Sequence, residues 1–130
     1  MEYDRSALSR GLLAALEPCL ESSISRQAVL HTLSEVHFTV LGKPAMARVH
    51  RDFLNLRGPT DVITFPYGEI LLCAPVAHER AGEFGHSTTA ELLLYGIHGL
   101  LHLSGYDDLT PAGFEEMAIR QSGIASTVRF

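Results

Sequence analysis

The run His98-Gly-Leu-Leu-His102-Leu-Ser-Gly105-Tyr-Asp107-Asp108 holds the residue types and spacing that could do chemistry. On a helix, residues four apart share a face with Cβ atoms about 5–6 Å apart, a span that lets two imidazoles reach one metal ion. Gly105 can adopt a positive φ, end the helix and reverse the chain. The reversal would bring Asp107 or Asp108 back toward the histidines as a third ligand. Three protein ligands leave one tetrahedral position for water or substrate, the arrangement of a catalytic rather than a structural zinc.

The helix carrying the pair reads as apolar nearly all round, through Ala90, Leu92, Leu93, Leu94, Ile97, Leu100, Leu101 and Leu103. It is therefore expected at the centre of the fold, with both imidazoles in a low-dielectric interior where each ring nitrogen needs a partner. The spacing His-x-x-x-His-x-x-Gly-x-x-Asp puts Asp108 where metzincin-type sites place their third ligand. Zincin peptidases carry a glutamate general base directly after the first histidine, and this chain carries Gly99 there. The ligand set is that of a metallohydrolase without the peptidase's proton acceptor.

These residues resemble the YbeY family, metal-dependent endoribonucleases of bacterial rRNA maturation. That family's signature, His-Gly-x-Leu-His-Leu-x-Gly-Tyr-Asp-His, is matched from His98 through Asp107, and Asp108 stands where the family has a third histidine. Gly58-Pro-Thr-Asp61-Val-Ile-Thr-Phe65-Pro66 is similar to the family's Pro-Thr-Asp-Val-Leu-Ser-Phe-Pro block, and Gly68-Glu-Ile70 to its next strand. The likeness runs from about residue 35 to residue 120. Ahead of the Pro-Thr-Asp block the family carries Asn and Arg, where His50 and Leu54 stand here; Arg51 and Arg57 are the neighbours that could replace that arginine.

The resemblance implies a zinc-dependent single-strand endoribonuclease acting in 16S rRNA 3′-end maturation and in ribosome biogenesis and quality control. One Zn²⁺ would be held by His98, His102 and Asp108, with RNA and the ribosome or its proteins as partners. No catalytic side chain is assigned beyond the water such a metal would bind, and Asp107 is the nearest spare carboxylate. Replacing a neutral histidine by an aspartate lowers the site's charge by one, so the water should acidify less readily. Two rival readings are a non-catalytic ribosome-assembly factor with a structural metal and, against Gly99, a minimal metallopeptidase.

Composition sets bounds on these readings. The 130 residues, 46% of them hydrophobic, suit one domain spanning 1–130 with a single core. No segment approaches the ~18 unbroken apolar residues of a membrane helix. Met1-Glu-Tyr-Asp4 lacks the basic and apolar regions of a signal peptide, so a cytoplasmic protein is expected. Cys19 and Cys73 are too few for a disulfide framework and read as buried or half-buried thiols. The net charge of −5 opposes binding of nucleic acid through a broad basic surface. Lys43, Arg48, Arg51 and Arg57 form the one basic tract.

The elements that must position the site follow from periodicity. Leu8, Leu12, Leu13, Leu16 and Leu20 predict a helix over 5–20 capped by Asp4 and broken at Pro18 and Glu21-Ser22-Ser23, with a further turn or two through Val29–Leu33. Alternation predicts a strand over 35–41. Gly42-Lys-Pro44 opens a helix to about Asn55, with Met46, Val49 and Phe53 toward the core. Val62–Phe65 and Ile70–Cys73 read as an antiparallel strand pair, and 74–84 as a helix. Thr88 and Glu91 match a capping box for the histidine helix, and Thr110-Pro111 opens a last helix through Phe114, Met117 and Ala118. The fold class expected is α+β, a small mixed sheet with helices around a central metal-binding helix. Glu91 could instead support a metal ligand, Met117 reads as core, and His31, His37, His50, His78 and His86 show no ligand spacing.

Overall fold

The central strand of the sheet is buried on both faces, and its sequence shows why. In the computed structural model, which describes residues 2–128, β1 (His37–Leu41), β2 (Val62–Phe65) and β3 (Glu69–Cys73) form one sheet in the order β1-β3-β2. Met1, Arg129 and Phe130, which the single-domain expectation also spans, lie outside the described residues. Successive side chains of a strand point to opposite faces. Ile70 and Leu72 of β3 accordingly enter the larger core, while Leu71 and Cys73 enter a smaller one with Met46 and Ile63. β1 pairs parallel to β3 and β2 antiparallel, so the sheet is mixed, as expected from the sequence.

The helices are α1 (Arg5–Glu21), α2 (Val29–Thr32), α3 (Lys43–Leu54), α4 (Ala74–Phe84), α5 (Thr88–Leu103) and α6 (Pro111–Thr127). The fold is α+β with α5 at its centre, packed against α1, α4, α6, β2 and β3. Asp4 and Thr110 cap α1 and α6 as their positions predict, accepting from Ala7 N and Gly113 N at 3.0 Å each. Cys19 and Cys73 are buried free thiols. No helix among the described residues is long and apolar enough to cross a membrane.

Four local expectations are corrected. α1 runs through Pro18 to Glu21, because a proline in the last turn forfeits only one ladder hydrogen bond. β1 starts at His37 rather than 35. Ser87, not Thr88, caps α5: its backbone is extended and its hydroxyl accepts from Ala90 N at 3.0 Å. Thr88 is the first helical residue and its hydroxyl meets His78 Nδ1, while Glu91 turns to His86 Nε2 at 2.5 Å. Phe53 is not a core residue. It stands 69% exposed in the last turn of α3, past the part of that helix anchored by buried Met46, and touches a ring at the rim of β2.

Gly99 sets how closely α5 approaches the sheet. A Cβ at that position would lie 2.8 Å from Ile70 Cγ2 and 2.9 Å from Thr64 Oγ1, well inside van der Waals contact. The glycine is thus a packing requirement that brings the helix backbone down onto β2 and β3.

Candidate metal centre

His98 and His102 sit on the one stripe of α5 that is not fully packed, with side chains 22% and 29% exposed. The imidazoles, expected in the low-dielectric interior, are half-buried. The helix is central, but the pair faces a cavity of about 750 Å³ whose opposite wall is the Thr60–Pro66 segment. Gly105 has φ +106°, and the chain reverses there as predicted. Asp108, 36% exposed, comes back over the histidines. Asp107 instead closes the turn by accepting from Leu109 N at 3.1 Å.

The three side chains form a group able to hold a metal ion, all donor atoms lying within 4.8 Å of one another. The separations are 3.1 Å between the two Nε2 atoms, 3.5 Å from His98 Nε2 to Asp108 Oδ2 and 3.9 Å from His102 Nε2 to Asp108 Oδ1. Zinc bonds of about 2.0–2.1 Å in a tetrahedron require donor–donor edges of about 3.3–3.4 Å. The two histidine nitrogens are near that spacing, while Asp108 faces each of them with a different carboxylate oxygen at 3.5 and 3.9 Å.

The ring tautomers follow from the acceptors beside them. His102 Nδ1 lies 3.1 Å from the Tyr106 carbonyl, which can only accept, so this nitrogen carries the proton. His98 Nδ1 likewise donates to Gln121 Oε1 at 3.0 Å. Both Nε2 atoms then turn lone pairs toward each other, an opposition that a shared cation relieves. Burial, followed by the neighbouring His98, lowers the His102 pKa, which keeps the ring in its neutral, ligating form.

Gln121 is a partner that the sequence does not announce, being 23 residues from His98 on α6 with no motif between them. It takes the supporting place considered for Glu91, whose carboxylate is buried against His86. Met117 is a core residue, 1% exposed. His50 donates to or accepts from no candidate ligand; its Nδ1 bonds the Gly58 carbonyl at 2.8 Å. Of the proposed substitutes for the missing arginine, Arg51 pairs with its neighbour Asp52 and Arg57 is exposed. The guanidinium that does border the centre is Arg80 of α4, held by Asp61 Oδ2 at 2.7 Å. Asp61 is itself fixed by accepting from Val62 N at 2.8 Å, and Arg80 shares a smaller cavity of about 340 Å³ with Tyr95, His98 and Gln121.

Residues 2–129 match the family model described as Endoribonuclease YbeY. The chain belongs to the YbeY family. A relative from Micrococcus luteus named Endoribonuclease YbeY is 37% identical, the match covering 76% of this chain and 73% of the relative. Another of that name, from Moorella thermoacetica, is 32% identical over 90% of this chain and 86% of its own length. The solution structure of a Thermotoga maritima protein superposes with a TM-score of 0.61 at 31% identity, covering 96% of this chain and 83% of the other. The YbeY resemblance read from the histidine signature thus extends over nearly the whole chain.

Proposed function

We propose that this chain is a zinc-dependent single-strand endoribonuclease, one domain over residues 1–130, with His98, His102 and Asp108 as ligands of a single Zn²⁺. It acts in 16S rRNA 3′-end maturation and ribosome biogenesis in the cytoplasm, on rRNA and in contact with the ribosome. The observation that supports this reading is the gathering of one ligand atom each from His98, His102 and Asp108 within 4.8 Å of one another on the wall of an open cavity. When bound, zinc supplies Lewis acidity to a phosphodiester oxygen and makes a water more acidic. The protein's own part is positional. Gln121 and the Tyr106 carbonyl orient the two rings, and the Thr60–Pro66 wall confines the strand opposite them.

A specific observation favours the second reading, a non-catalytic assembly factor with a structural metal. The carboxylates lining the cavity are Asp61 and Asp108; the first is committed to Arg80 and the second belongs to the ligand triangle. The peptidase reading finds no support, since a glutamate at position 99 would collide with Ile70 and Thr64.

The test uses the zinc-loaded chain with labelled single-stranded and duplex RNA. Cleavage of the single strand that is lost on chelation and in His102→Ala is expected. RNA binding without cleavage at any zinc occupancy would overturn the enzymatic reading in favour of the assembly factor.

A further inference from the structure

Three aromatic rings form a ladder at the rim of the cavity, where the end of α3 meets the β2–β3 turn. Phe53 meets Phe65 edge-on, with centroids 5.5 Å apart and planes at 76°. Phe65 stacks on Tyr67 at 5.4 Å and 19°. Rings gathered for core packing are covered, yet Phe53 is 69% and Tyr67 67% exposed. Tyr67 donates its hydroxyl proton to Glu69 Oε1 at 2.8 Å. Phe53 and Phe65 also line the cavity that contains His98, His102 and Asp108, so the ladder continues the candidate metal site outward.

The charge of the chain makes this surface informative. At a net charge of −5, the protein has little with which to neutralise phosphates. Its basic tract is partly spent, because Lys43 is paired with Glu79 and Arg51 with Asp52. Stacking on aromatic faces grips a nucleic acid without needing cations, and it tolerates any base sequence. It also selects single strands, since only unpaired bases present free faces.

We infer that Phe53, Phe65 and Tyr67 form a subsite that stacks unpaired nucleobases of a single-stranded RNA whose backbone enters the cavity beside His98 and His102. This rests on the ribonuclease reading above and names how that site takes hold of its substrate. The rings supply affinity and strand selectivity, and the cavity beside them positions the phosphodiester.

The experiment is fluorescence anisotropy with the zinc-loaded chain and three labelled probes of equal length. These are a single-stranded RNA, the same sequence as a duplex, and an abasic ribose-phosphate strand. The parent should prefer the single strand over both others. Phe53→Ala with Tyr67→Ala should weaken single-strand binding about tenfold or more and leave abasic binding unchanged. Phe53→Leu with Tyr67→Leu, which keeps the apolar area, should behave like the alanine pair, whereas Tyr67→Phe should bind like the parent. Zinc stoichiometry and circular dichroism report whether each variant is folded. Single-strand binding undiminished in the alanine or leucine pair overturns the inference while leaving a cleaving parent an endoribonuclease. A parent that binds none of the probes removes the ribonuclease reading and the subsite together. If the alanine pair changes only the sedimentation behaviour of the protein, the ladder is a protein contact and the inference fails.

Discussion

His98 Nδ1 donates to Gln121 Oε1 at 3.0 Å, tying the first candidate ligand on the central helix to the C-terminal helix. An acceptor on the far nitrogen fixes the ring's tautomer and orientation and makes the other nitrogen a better donor to metal. Gln121→Ala should therefore weaken zinc binding about 10–100-fold with the fold intact. Competition against a chromophoric chelator measures this, and an unchanged affinity would remove Gln121 from the metal centre.

Asp108 brings a negative charge to a position where the family signature has a neutral ring. Asp108→Ala should lose stoichiometric zinc. Asp108→His should keep zinc and raise the positive charge of the centre, lowering the pKa of a water there. The acidic limb of the RNA-cleavage pH profile should then move to lower pH. A limb that stays in place would show that the third ligand does not tune the reaction.

Gly99→Ala places a methyl group 2.8 Å from Ile70 and 2.9 Å from Thr64. Overpacking of this kind costs about 1–3 kcal/mol, relieved only if the Ile70 and Thr64 side chains shift or the helix lifts from the sheet. Urea unfolding should show that loss. Stability equal to the parent's would mean the helix–sheet contact is looser than its distances imply.

Burial pushes the Cys19 thiol from 9.0 up to about 12. The folded protein keeps this proton while the unfolded chain releases it above about pH 9, so folding stability falls as pH rises between those values. Cys19 should contribute a slope of up to about 1.4 kcal/mol per pH unit that Cys19→Ala loses, leaving the smaller dependence that buried Cys73 adds. Unfolding curves at pH 8, 9 and 10 for the two proteins give the comparison. Parallel pH dependence in both would place the thiol in contact with solvent.

The parts of the molecule that were legible in the sequence are those governed by local chemistry. Imidazoles four apart, a glycine able to take positive φ and an acidic residue three further on suffice to bring the three candidate ligands together with little help from the rest of the chain. Asp4 and Thr110 cap their helices because a short polar side chain beside an apolar run has one good use. Gln121 and the Arg80–Asp61 pair were not legible. They depend on which helices pack together, and nothing in residues 61, 80 or 121 encodes that locally. Phe53 was misread because helical periodicity identifies an apolar stripe without telling whether sheet or open cavity lies opposite. Ser87 displaced Thr88 as the cap because two adjacent hydroxyls offer equivalent signals and only backbone geometry chooses between them.

All three candidate ligands arrive from the short run His98–Asp108, whereas the wall facing them is assembled from residues 60–66. Ion capture and substrate grip are therefore inherited from separate stretches of chain and can drift independently over generations. A descendant could keep its candidate ligands while exchanging one RNA target for another, with the histidine hairpin untouched and only the opposing bank rewritten.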